Sequence, residues 1–468
     1  MPTSTLDNTP QAALGTRIKT LHETDALIDF VMQARFEDLP AQAVEQAVIF
    51  ALDTLACCVA GRGYKGADAA LEAARRWGEG AQARVIARPG TTLPPASAAF
   101  VNSYQAHALE WDGLHEHSVV IALGAPMGAL LAHADEVGLS GEDFLLGLCI
   151  AVEVAVLFGA GSASAPKFFR PAIAGQMGAA MALAKVRGYS RQQTSQTLGL
   201  AYSMLAGTMQ AHWEGAMALA MQVGQAARAA HQAADLARAG MAGPIDVIGG
   251  QFGYFTLFED RGDVEAALEE LGEPWAMTQM AHKPFPAGRA TQAVLTMLYD
   301  LQAEHDFGAE DVEALEVFAP PLILTLVGRP LTPDMSPAYA RLCLDFVAPL
   351  MLLSGKVKPR DFNAGMFSSQ AIEDLADKVH LKQDENTDPN ALGPQRCVLR
   401  LKDGRSLDAH CEHPLGAPGN ALSAEQRLQK VAECFAAAPW NADPAGFVDA
   451  AMAMPALPDI RSLTHQLS

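Results

Sequence analysis

With 468 residues, half of them hydrophobic and only 18% charged and 7% aromatic, the chain is long enough for two domains and suited to a large Ala/Leu core built mainly from helices. Its formal net charge of −20 argues against a nucleic-acid or anionic-membrane partner. An anionic small molecule would have to meet a local cluster of Arg and Lys that outweighs this field.

Seven Cys without a C-x-x-C pair, two of them adjacent at Cys57-Cys58, fit reduced thiols in a cytoplasmic protein. Residues 1–20 read as loosely packed, and Met1-Pro-Thr-Ser-Thr-Leu-Asp7 lacks the basic-then-apolar pattern of a signal peptide. A helix is predicted from Asp25, and a second opens at Leu39-Pro40 and stops at Gly61. A third covers Ala67–Trp77, and Ala83–Arg88 is strand-like before a Pro-Gly turn. Leu93-Pro-Pro95 opens a helix predicted over Ala96–Glu110. Helices follow at Pro126–Val137 and Ser140–Phe158; the apolar run Phe144 to Gly159 is short for a membrane span and carries Glu153 at its middle, so a buried helix is expected. Phe168-Phe-Arg-Pro171 precedes a small-residue helix, and further helices are predicted at Gln192–Gln210, Ala216–Gly240 and Asp263–Leu271. Gly249-Gly-Gln-Phe-Gly-Tyr-Phe255 reads as a loop packed by aromatics; it lacks the Lys-Ser/Thr of a phosphate loop.

The texture changes near residue 275. Met280-Ala-His-Lys-Pro-Phe-Pro-Ala-Gly-Arg289 precedes a helix at Thr291–Glu304, and Val312–Ala319 alternates as a strand. Helices are predicted at Ala338–Leu353 and Pro359–Ser369. Arg396–Lys402 and Ser406–Cys411 form a hairpin across Asp403-Gly404. Ser423-Ala-Glu-Gln426 has the shape of a capping box, and the chain ends in helices.

The chemistry concentrates in His107-Ala-Leu-Glu-Trp-Asp-Gly-Leu-His-Glu-His-Ser118, which holds three His and three carboxylates in an otherwise bland protein. His107 and Glu110 would share a helix face, and Gly113 argues that the chain leaves the helix as the titratable groups arrive. Such a junction can shift pKa values, as proton transfer requires. Arg170, between Phe-Phe and Pro, has little reason to be there unless it meets an anion.

Leu52-Asp-Thr-Leu-Ala-Cys-Cys-Val-Ala-Gly61, Ala98-Ala-Phe-Val-Asn-Ser103, His107–Asp112, Gly175–Ala180 and Lys283-Pro-Phe-Pro-Ala-Gly-Arg289, in this order, resemble the MmgE/PrpD family over roughly residues 25 to 460. That family includes 2-methylcitrate dehydratase, cis-aconitate decarboxylase and iminodisuccinate epimerase. The resemblance implies a mainly α fold: a helical domain made from both chain ends (20–276 and 413–468) with an inserted α+β lid (277–412). It also implies a homodimer and a site without cofactor between the two parts. The chain departs from the family at several positions: Glu110 stands for a family Asp, Gly113 and Leu114 for an Asp and Thr, and Val120–Ala122 where a His-Pro is common. Phe169 stands for a His, Leu219 and Gln222 for a Lys and a His, and Phe346 for a Tyr.

The implied reaction is proton abstraction beside a carboxylate of a small di- or tricarboxylate, followed by loss of water or carbon dioxide, or by return of the proton. His115 is the preferred base or acid, with Glu110 or Asp112 orienting it, and Lys283, Arg289 and Arg170 are the expected carboxylate clamps. His107, His117, Gln222 and His282 complete the expected substrate contacts. A second reading takes His115 and His117, with Glu110 and Asp112, as ligands of a divalent metal in a hydrolase or lyase. A third is a non-catalytic homologue that binds without turnover.

Overall fold

The computed structural model describes residues 23–259, 262–438 and 440–467, so the reading of residues 1–20 lies outside the described residues. The fold is mainly α. After a helix over 23–33, the long apolar helices Ala41–Gly61 and Gly141–Ala160 cross the largest hydrophobic cluster and are buried along most of their length. Helices Pro95–His107, Gly124–Val137, Arg170–Val186 and Ala218–Arg238 pack around them. Small residues permit this: a Cβ on Gly178 would collide with the Ala151 carbonyl oxygen, and one on Gly61 with that of Gln105. Side chains cap several helix starts, at Ser140 and Ser423 as the sequence suggests and at Ser190 in addition. Ser140 accepts from the Asp143 amide at 3.0 Å, and Ser190 and Ser423 form capping boxes with Gln193 and Gln426.

A second hydrophobic cluster spans Phe285 to Cys411. Helices Arg289–Glu304 and Leu344–Ser354 pack beside a four-stranded sheet ordered 379–383, 312–319, 395–401, 406–411. Val379–Gln383 runs parallel to Val312–Ala319; the other neighbours are antiparallel. Strand Val379–Gln383 had no clear signal, because its alternation shows only one buried residue. The helices predicted at Ala338–Leu353 and Pro359–Ser369 are broken into Pro337–Ala340 plus Leu344–Ser354, and Pro359–Asp361 plus Ala364–Phe367. Gly404 has φ +89° at the hairpin turn, a conformation open to glycine.

The last helices pack on the first cluster. Val431, Cys434 and Phe435 join it, and Lys430 makes a buried ion pair with Asp53 at 2.6 Å and donates to the Trp111 carbonyl oxygen at 2.8 Å. The two clusters are stitched by a short antiparallel ladder that pairs Leu114 with Ala281 and His115 with Met280. This ladder brings Lys283 beneath the end of helix Pro95–His107.

Candidate active site

Helix Pro95–His107 ends three residues earlier than predicted, and the chain then turns through Glu110, whose φ is +53°. A left-handed glutamate costs on the order of 1 kcal/mol or more and persists only where its surroundings hold it. Here they do. His107 lies between two carboxylates, with Nε2 3.0 Å from Glu110 and Nδ1 3.0 Å from Asp112. Lys283 donates to the Glu110 carbonyl oxygen at 2.9 Å and lies 3.4 Å from its carboxylate and 3.9 Å from Asp112. All four residues are buried.

Burial alone would discharge His107, but Asp112 and Glu110 outweigh it and raise its pKa to about 10. The two carboxylates thus favour the imidazolium form of the ring. Burial would likewise favour protonated Glu110, yet the His107 and Lys283 charges hold it well below the usual carboxylate range. The quartet is two cations against two anions.

Glu110 is the member that lines a cavity of about 70 Å³, together with Leu114, Phe169, Arg170, His212 and Arg289. The cations that line this cavity or stand behind its wall fall into two groups. Arg170 is paired twice with Glu259 at 3.1 Å and bonded to Ser164 and Asn390, so the anion it was expected to meet is the protein's own. Arg289, pulled down by burial to about 10, pairs with Glu116, while its Nη1 is buried without a partner. In contrast, Arg329 and Arg341 are buried with no carboxylate within ion-pair distance among the described residues. Arg329 bonds His212 and the Leu326 carbonyl oxygen; Arg341 bonds the Pro337 carbonyl oxygen and lies over the Phe362 ring. Burial lowers both, to about 10 for Arg341, and both feel the Glu110 charge.

The other expected site residues lie elsewhere. Successive residues of a strand face opposite sides, so Leu114 lines the inner cavity while His115 lines an outer cleft with Glu116, His117, Glu153 and His413. His115 Nδ1 sits 2.9 Å from the Ser118 hydroxyl, and burial followed by the nearby His117 lowers its pKa to about 4. The structure therefore does not bring His115 to Lys283 and Glu110. His117 is exposed. His282 stacks on Phe50 with ring centroids 4.1 Å apart, and burial, then Lys430 and Arg427, depress its pKa. Gln222 accepts from the Thr208 amide at 2.6 Å and holds a turn. Among the described residues no group of three or more His, Cys, Asp or Glu is arranged to hold a metal ion.

Sequence reasoning missed His212, Arg329 and Arg341. The signal that singled out Arg170, an arginine inside an apolar or Pro-flanked stretch, also fits Gly328-Arg-Pro330 and Ala340-Arg-Leu342. His212 carried none.

With this geometry in hand, comparison with known proteins is informative. The MmgE/PrpD N-terminal domain matches residues 25–267 and the MmgE/PrpD C-terminal domain residues 285–440. The chain is 26% identical to the cis-aconitate decarboxylase of Mus musculus over 81% of this chain and 80% of that protein. It is 26% identical to the Homo sapiens cis-aconitate decarboxylase over 84% and 83% of the respective chains. An Aspergillus terreus cis-aconitate decarboxylase is 25% identical over 81% and 82%.

Proposed function

The chain belongs to the MmgE/PrpD family, and on that premise we propose that it is a lyase that needs no cofactor and acts on a small di- or tricarboxylate by breaking a bond next to a carboxylate. The observation that carries this reading is a charge surplus. Among the described residues every other cation near the inner cavity is matched by a protein carboxylate, but Arg329 and Arg341 are not. Buried unmatched charge is expensive. In a chain of net charge −20, two such arginines are accounted for if the cavity takes a dianion.

Each residue then has a task. Arg289, which lines the cavity, holds one carboxylate, and the fields of Arg329 and Arg341 favour a second. Breaking C–H or C–CO₂⁻ beside a carboxylate sends the electron pair into that carboxylate, and the Lys283–His107 charges behind Glu110 lower the cost of the enediolate. Glu110 faces the cavity and moves the proton. Negative charge arriving with the substrate weakens the hold of His107 and Lys283 on it and raises its proton affinity. The relatives' names favour loss of carbon dioxide over loss of water. The 277–412 segment serves in this reading as the lid over the helical part.

Incubation with a panel of unsaturated and hydroxy di- and tricarboxylates in deuterated water, followed by NMR, tests this. Loss of carbon dioxide, loss of water or exchange of a carbon-bound proton is expected for at least one member; none for any would sink the reading. A homodimer and a cytoplasmic location complete the proposal. Trp213, Met217, Phe252 and Leu257 stay exposed, and all seven cysteines are unpaired and buried. Light scattering that reports only monomer would remove the dimer.

A further inference from the structure

The helical turn Gln210–Glu214 sets His212 into the wall of the inner cavity with Glu110. Arg329 grips it from behind: Nη1 donates to the His212 carbonyl oxygen at 3.0 Å and Nη2 reaches ring Nδ1 at 3.4 Å. A guanidinium carries only donors. Nδ1 must therefore present its lone pair, and the single ring proton lies on Nε2. Hydrogen bonds among the described residues leave Nε2 free, and it is not one of the sealed, unpartnered polar atoms. Three charges face this ring besides its own burial. Arg329 and the His107 imidazolium oppose a second proton, and Glu110 favours it.

We propose that His212 is a catalytic hydrogen-bond donor: its neutral imidazole, fixed as the Nε2–H tautomer by Arg329, binds the substrate carboxylate next to the reacting carbon and stabilises the enediolate formed there. The assignment rests on the lyase reading above and adds a residue to it. The electron balance is simple. The pair released from the C–H or C–CO₂⁻ bond enters the neighbouring carboxylate while the proton goes to Glu110 or carbon dioxide departs; the pair then returns to carbon, where it expels hydroxide or takes up a proton relayed from water by Glu110, and His212 keeps its own proton throughout. A neutral imidazole suits this role because the hydrogen bond its N–H donates strengthens as the oxygen becomes basic, without the proton being lost. Arg329 is the positioning residue that selects the tautomer.

The test combines nitrogen NMR and kinetics on the full-length protein. In ¹⁵N-histidine-labelled protein, with His212→Gln identifying the signal, His212 is expected to remain neutral and Nε2-protonated from about pH 5 to about pH 9. An imidazolium or an Nδ1–H tautomer at neutral pH would overturn the proposal. On the substrate found in the panel, His212→Leu should lower kcat by about 10²–10³-fold with little change in KM. His212→Gln, which can place an amide N–H near the Nε2 position, should recover part of that loss. Parent-like kcat in a folded His212→Leu protein would also overturn it. If the parent turns over no di- or tricarboxylate, the lyase reading fails instead, and the ring's measured tautomer still decides the assignment of His212.

Discussion

The two-residue strand Leu114–His115 separates an inner cavity from an outer cleft, and the two differ in kind. The inner cavity is small and mostly apolar, with Glu110, Arg170, His212 and Arg289 in its wall; behind it stand His107, Asp112 and Lys283 and two arginines that have no counter-ion among the described residues. The outer cleft holds about 400 Å³ and carries Glu116, His117 and His413, with the buried His115 in its wall. Both surfaces draw on the same twelve residues of sequence. Titratable groups alone therefore do not mark a site. Burial beside opposite charge separates a His held as a cation at about 10 from one, two turns of chain away, that stays neutral at about 4.

Variants on the two sides should respond very differently. Lys283→Met removes a cation from the quartet and leaves Glu110, Asp112 and His107 with net negative charge. The expected result is a fall in kcat/KM of about three orders of magnitude, read by steady-state kinetics, with calorimetry to show a folded protein. Arg289→Met should act mainly through binding, raising KM about 10–100-fold while kcat changes little.

The quartet should also be visible in stability. His107 has a folded pKa of about 10 against 6.5 for the free side chain. Its contribution is full below pH 6.5 and is lost as pH rises through 10. Glu110 runs the other way: its pKa is depressed, so its contribution is present above 4.5 and fades as pH falls. Tm should decline from neutral to alkaline pH, and His107→Gln should flatten that decline; an unchanged slope would mean the ring is neutral in the fold. The smallest effect belongs to the outer cleft. His115→Gln should leave kcat/KM within about two- to threefold of the parent. A loss comparable to that of Lys283→Met would return the chemistry to the outer face.

Local sequence determined a good deal. The helix starts at Ser140 and Ser423, the apolar periodicity of the core helices, the 395–411 hairpin and the stretch 107–118 follow from capping, patterning and turn chemistry that act within a few residues. The family likeness was legible for the same reason, since its motifs are short and ordered. Pairings over long separations were not legible. Lys283 meets Glu110 only because Met280–Ala281 forms a ladder with Leu114–His115. Arg170 is neutralised by Glu259, 89 positions away. Strand direction turned His115 outward, a choice that one residue of register reverses. Arg329 and Arg341 acquire meaning only once burial removes water and no carboxylate among the described residues replaces it. The sequence named the ionisable groups; their charge states and partners depend on distance and solvent exclusion, which the packing of the two hydrophobic clusters decided.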